Sequence, residues 1–171
     1  MPLLDLSALF YFNTLEITED RIFDGRADQT NYDTYGFELV NRSDFDFGVP
    51  TRLVYGVEVF RDEQSGERNG AARLQFPDAS LTSYAAFAEA TIDVTPEFSL
   101  IPGIRVDRFE LDPDNNPDRA QTEFLPRLGF SWRPVEGVQV YGNVARAFRA
   151  PSLTELYSDD VHFAAGGFPL D

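Results

Sequence analysis

Seven stretches of the chain read as β-strands, most of them by alternation of apolar and polar positions. Residues 3–16 form the first. In residues 31–41, Tyr35, Phe37 and Leu39 point one way and Thr34, Gly36 and Glu38 the other. Residues 52–61 put Leu53, Tyr55, Val57 and Val59 on a single face. Residues 81–94 are an alanine-rich fourth strand. Residues 98–109 oppose Leu100, Ile104 and Val106 to Gly103, Arg105 and Asp107. Residues 124–133 set Leu128, Phe130 and Trp132 against Arg127, Gly129 and Ser131, and residues 138–147 make the seventh strand. The predicted fold class is all-β, an antiparallel meander.

The connections alternate in length. Residues 19–29, 62–80 and 110–123 are long and polar, whereas residues 42–51, Thr95-Pro96-Glu97 and Pro134-Val135-Glu136-Gly137 are turns. Short turns on one side and long loops on the other are the pattern of a barrel crossing a membrane. Strands of about ten residues suit a tilted passage through the hydrocarbon layer. Phe45, Phe47, Phe98 and Trp132 fall beside the short turns, as an interfacial girdle does, and Phe148 emerges at the outer surface. A soluble antiparallel barrel or sandwich also alternates, with Gly103, Arg105 and Asp107 then facing water. The regular long–short alternation favours the membrane.

Composition narrows the classes further. At 171 residues and 43% hydrophobic content the chain has no apolar run long enough for a transmembrane helix, a test that a barrel escapes. Residues 2–10 lack the basic start and small-residue cleavage site of a signal peptide. A formal charge of −15 argues against nucleic acid as a partner. All 14 basic residues are arginine. Cysteine is absent, which removes disulfide frameworks, thiolate zinc sites and cysteine nucleophiles.

The segment 141–157 reads Tyr-Gly-x-x-x-Arg-x-Phe-Arg-Ala-Pro-Ser-Leu-x-Glu-Leu-Tyr. It resembles one stretch of the TonB-dependent outer-membrane receptors, in particular their haem and haemoglobin branch, where the box Phe148-Arg149-Ala150-Pro151 opens an extracellular loop. Tyr35-Gly36-Phe37-Glu38, Tyr55-Gly56-Val57-Glu58, Pro102-Gly103-Ile104-Arg105-Val106-Asp107 and Pro126-Arg127-Leu128-Gly129-Phe130 resemble receptor strands. The resemblance spans nearly the whole chain. It implies a single incomplete barrel domain over residues 1–171, an internal piece of a barrel of about 22 strands. The plug domain, the TonB box and the Asn-Pro-x-Leu box that follows the first box would lie outside it.

The resemblance also implies candidate ligand residues. A histidine lies between the two boxes of haem-uptake receptors, and His162, the only histidine, falls after Pro151. Neutral imidazole is the usual haem-iron ligand of binding proteins, so His162 is the candidate metal contact. Tyr157 is a second one, since a tyrosinate also binds ferric haem. Phe163 and Phe168 are candidates to lie against a porphyrin face. Arg149 is expected at the barrel rim, pairing with Glu155, Asp159 or Asp160. Asp112, Asp114, Asn116, Asp118 and Glu123 match the spacing of a calcium loop, but Pro117 stands where such a loop needs glycine, so an acidic solvated loop is expected. No nucleophile–base pair or phosphate loop is visible, and an enzyme is not expected.

The expected function is uptake of haem from haemoglobin or a similar carrier. Haem is a transported ligand in that reading, not a catalytic cofactor. The implied partners are the lipid bilayer, a haemoprotein donor and the TonB–ExbB–ExbD complex acting through the plug. Ferric-siderophore uptake on the same architecture, a passive outer-membrane channel and a soluble β-barrel binding module are the alternatives.

Overall fold

The computed structural model describes residues 3–46, 48–73, 78–113 and 118–149. They form one antiparallel sheet of β1 (Asp5–Arg21), β2 (Arg26–Asp46), β3 (Pro50–Arg68), β4 (Ala71–Ala72), β5 (Ala79–Thr95), β6 (Phe98–Pro113), β7 (Arg119–Val135) and β8 (Val138–Ala145). The long strands pair with their chain neighbours in the order β1-β2-β3-β5-β6-β7-β8, and the two-residue β4 pairs with the end of β3. Among the described residues β1 and β8 each have a partner on one side only, so the sheet is open.

Register carries like side chains from strand to strand. One face runs Phe10, Phe37, Val59 and Tyr84 across successive strands, then Leu39, Val57, Ala86, Val106 and Phe124, then Phe98, Trp132 and Val140. The other face carries Glu38, Glu58, Ala85, Asp107 and Glu123 on one rung. Burial is reversed relative to a water-soluble fold. Phe37, Val57, Ile104, Val106, Phe124, Leu128, Trp132 and Val140 are exposed, whereas Asp107, Ser83 and Ser99 on the polar face are buried. The few buried hydrophobics, Val40, Ala79, Leu81, Ala85 and Leu111, belong to the polar face as well. A greasy outside and a polar inside are the requirements of a barrel in lipid. The soluble sandwich does not meet them.

The apolar band also crosses the sheet obliquely. Phe12 in β1 lies opposite Tyr35, whereas Val144 in β8 traces through Leu128 and Pro102 to the level of Ala90, Leu53 and Ser43. The band therefore slips by eight residues of β2 (43 − 35) over six interstrand steps. At the usual rise and strand spacing that is about 27 Å along against about 29 Å across, a tilt of roughly 40–45°. Aromatics mark the band's edges. Phe12 and Tyr35 pack with ring centroids 5.0 Å apart at the outer edge, and Phe98 stacks on Phe130 at 6.4 Å near the opposite one. Phe45 and Trp132 accompany the latter pair; Phe47 lies outside the described residues.

The strands are longer than the alternation indicated, 16 to 21 residues for all but β4 and β8. The segment 19–29 is two paired strands around a tight turn, and most of 62–80 and 110–123 is ladder. Above the band both faces meet water, so side chains lose their period while backbone pairing continues. In Arg61, Asp62, Glu63 and Gln64, for example, no apolar face remains to be read. In contrast, β8 ends at Ala145, two residues earlier than expected and well before Pro151.

Candidate functional site

The face that carries chemistry is the polar one, the lumen side of the sheet. At the depth of the apolar band, Arg105 on β6 donates from Nε to Asp107 Oδ1 at 2.7 Å and from Nη2 to Glu58 Oε2 at 2.9 Å. Its guanidinium carbon lies 6.0 Å from the centre of the Phe87 ring. The fork geometry of arginine lets one side chain hold carboxylates from two strands at once. Arg127 on β7 pairs with Glu89 on β5 at 2.6 Å. Glu38 stands on the same rung as Glu58 but has no ion pair or hydrogen bond among the described residues.

Close approach of large side chains is made possible by glycines directly across the ladder. The Tyr11 ring lies over Gly36, and the Phe87 ring lies over Gly56, where a β-carbon would come within 2.9 Å of it. A flat, closely covered wall results, against which another element can pack.

Toward the outer mouth this wall turns apolar. Ala79, Leu81 and Leu111 form a buried cluster, with Phe60 and Phe109 packed against it. Past β8 the chain bends inward over this patch. The Arg146 amide donates to Pro126 O at 3.0 Å, and its guanidinium reaches Glu123 at 2.8 Å. The Phe148 ring sits 5.7 Å from Phe109, two strands away. Phe148 was expected at the outer surface. It is at the outer end of the sheet, but half-buried against the lumen side.

Beyond the band, Asp28 gathers three arginines. Arg26 Nε donates to it at 2.8 Å and Arg68 Nε at 3.0 Å, while Arg73 Nη2 lies 3.3 Å away. Arg73 also donates to Thr30 Oγ1 at 3.1 Å. Hydrogen bonds from Arg26 hold the Asp28 carboxyl well below the usual carboxylate range, and Arg68 and the Arg73 charge add to this against the desolvation of the carboxylate. The node joins the outer ends of β2 and β3 and fixes both hairpins relative to each other.

Of the predicted site residues, Phe148 and Arg149 are described, Arg149 as an exposed side chain. Ala150, Pro151, Tyr157, His162, Phe163 and Phe168 lie outside the described residues, as do Asp114, Asn116 and Pro117 of the acidic loop. Among the described residues no cluster of metal-ligating side chains is present. The Arg105 and Asp28 networks were missed from sequence. Glu58, Arg105 and Asp107 alternate with apolar residues and so announce their face. The Asp28 group lies beyond the band, where no apolar residues mark one; in both, register brings the members from different strands together.

A protein-family description, "TonB dependent receptor-like, beta-barrel", matches residues 3–170. A hemin receptor of Yersinia pestis is 29% identical over 167 residues, covering 94% of this chain and 24% of that protein. The heme/hemopexin utilization protein C of Haemophilus influenzae (strain ATCC 51907 / DSM 11121 / KW20 / Rd) is 27% identical over 99% of this chain and 24% of its own length. A ferric enterobactin receptor of Pseudomonas aeruginosa is 30% identical over 61% of this chain and 13% of its own. The chain thus spans 24% or less of these three relatives. Among solved structures the copper transporter OprC superposes with a TM-score of 0.78 at 22% identity, over 92% of this chain and 29% of that one.

Proposed function

The chain belongs to the TonB-dependent receptor β-barrel family, and on that premise we propose that it is part of an outer-membrane receptor for energy-coupled uptake of haem. The observation that carries the haem reading is the extent of similarity. The hemin receptor and the heme/hemopexin utilization protein match over 94% and 99% of the chain, against 61% for the ferric enterobactin receptor. His162 is the proposed iron ligand, with Tyr157 as a second contact and Phe163 against the macrocycle. The box Phe148-Arg149-Ala150-Pro151 sets the start of that segment, and the Phe148–Phe109 contact supports a start on the lumen side of the mouth.

The roles of other receptor parts follow from the same premise. A plug filling the lumen would pack on the wall of Glu58, Arg105 and Asp107, and a basic plug side chain would complement Glu38. The TonB–ExbB–ExbD complex would act through that plug. Haemoglobin or a similar carrier is the proposed haem donor. Ferric-siderophore uptake is the second reading, favoured by the match to the ferric enterobactin receptor.

The test is growth of an iron-starved host, lacking its own haem and enterobactin receptors, that expresses the full-length protein. Growth on haemin that is lost with His162→Ala, while the folded barrel persists in the membrane, is the expected result. Growth on ferric enterobactin alone would replace the haem reading with the siderophore one. Equal haemin uptake by His162→Ala would remove the histidine from the site.

A further inference from the structure

We propose that a pocket on the lipid-facing side of the sheet, just above the apolar band, binds the sugar headgroup of a membrane glycolipid. The inference goes beyond the uptake reading, since it rests on the lipid face alone and is indifferent to what the receptor imports. The pocket measures about 330 Å³ and lies across β2, β3, β5 and β6. Its floor is one rung of the ladder, Asp33, Glu63, Ser80 and Asp112. Asn31 and Arg61 stand on the same-face rungs above and below it. All six alternate in phase with Tyr35, Val59, Tyr84 and Val106, so they share the side that lower down meets lipid.

Ser80 marks the pocket as a place that lacks an occupant's groups. It is only 8% exposed, yet it lines the pocket with no hydrogen-bond partner for its hydroxyl among the described residues. A buried hydroxyl left in that state costs free energy until something supplies the bond. Asp33 and Asp112 likewise have no ion pair or hydrogen bond among the described residues, whereas Glu63 is held by Arg61 at 2.7 Å. Asp33 also stands directly opposite Glu63, a like-charge pair that donors from outside the sheet would relieve.

The mixture of groups identifies the chemistry. The carboxylates and Ser80 accept hydrogen bonds, while Arg61, Asn31 and Ser80 donate them. A neutral polyol meets both needs with its own hydroxyls. A phosphate is repelled, because the lining carboxylates outnumber the guanidinium of Arg61, which Glu63 already holds. A bare metal ion is not favoured either, since no group of metal-ligating side chains is present among the described residues. Location gives the source. Asp33 stands two residues beyond Tyr35 (35 − 33), at the outer edge of the apolar band, or about 7 Å along the strand. That is headgroup depth. The pocket faces neighbouring lipid and not the lumen, so a sugar anchored by acyl chains is delivered to it by the same bilayer that covers Val57 and Val106.

The test uses the purified full-length receptor in detergent and three probes. These are a lipopolysaccharide that keeps its core sugars, its lipid A freed of that core, and the released core oligosaccharide. The parent is expected to bind the complete glycolipid about tenfold tighter than lipid A, the worth of one or two added hydrogen bonds. Ser80→Leu, which fills the pocket, is expected to abolish that preference, and the isosteric Asp33→Asn to reduce it. Lipid A should bind both variants as it binds the parent, which shows that the barrel is folded. If Ser80→Leu loses lipid A as well, Asp33→Asn alone decides. Equal binding of the two glycolipids by the parent would overturn the proposal, as would a preference that survives in variants still binding lipid A. A preference lost with EDTA and restored by magnesium would assign it to a bridging cation and overturn it too. Released oligosaccharide that binds as tightly as the complete glycolipid would overturn the membrane source.

Discussion

Glu38 on β2 stands directly across the ladder from Glu58 on β3, and of these two carboxylates Arg105 holds Glu58, at 2.9 Å. Like charges opposite one another in a sheet are destabilising, by roughly 0.2–1 kcal/mol. A cation brought to Glu38 from outside the sheet would relieve that repulsion. Glu38→Gln should therefore leave barrel stability unchanged or slightly raised, yet loosen whatever fills the lumen. In the full-length protein this reads as increased entry of a bulky antibiotic such as vancomycin. Unaltered permeability together with unaltered uptake would contradict it.

The exposed face of the sheet should reject charge according to depth. Val57 lies within the apolar band and Val138 beside the short β7–β8 turn. Val57→Arg is expected to cost about 2–4 kcal/mol and Val138→Arg about 0–1 kcal/mol. Urea unfolding of the full-length protein in lipid vesicles measures both.

Gly56 is fixed by crowding. A β-carbon there would stand 2.5 Å from Leu39 O and 2.9 Å from the Phe87 ring. The first neighbour is backbone and cannot swing aside. Gly56→Val should lower stability by about 1–3 kcal/mol, the usual range for overpacking. An unchanged unfolding midpoint would show that the strands part easily at this point.

The Asp28 node makes a statement about acid. Because its carboxyl is held below its unfolded value of about 3.9, its stabilisation is full above that pH and is lost only as pH falls toward the lower folded value. Hydrogen exchange at the outer ends of β2 and β3, corrected for intrinsic rate, should therefore be flat between pH 7 and 5. Asp28→Asn should speed it at neutral pH. Asp28 is covered by arginine side chains and lies near water, so about 1–3 kcal/mol is expected, less than for a deeply buried pair. Loosening of the parent protein between pH 7 and 5 would contradict this account.

These same residues mark the boundary of what the sequence discloses. Within the band, Tyr35, Phe37 and Leu39 alternate with Gly36 and Glu38 because lipid lies on one side, and strand, face and direction are all legible. Above it, Glu63 and Gln64 pair with Ser80 and Ala79, but water on both sides erases the period and the strands read as loops. Networks are hidden for a different reason. Arg26 and Asp28 are neighbours on one face of β2, but Arg68 and Arg73 are far from Asp28 in the chain and meet it only through register. The exclusive use of arginine gains part of its reason here, since Arg105 bridges two carboxylates as a lysine's single ammonium does less specifically. Phe148 was legible as a strand exit, but its inward turn onto Phe109 depends on a partner from β6.

The division of the sheet into a lipid face and a lumen face is tested most directly by spin labels placed one at a time at Val57, Glu58, Ile104 and Arg105 of the folded protein in bilayers. Collision rates with oxygen and with a water-soluble nickel chelate then report which medium each label meets. Oxygen should dominate at Val57 and Ile104, and fall sharply at Glu58 and Arg105. Equal access of the chelate to all four positions would contradict the assignment of the two faces.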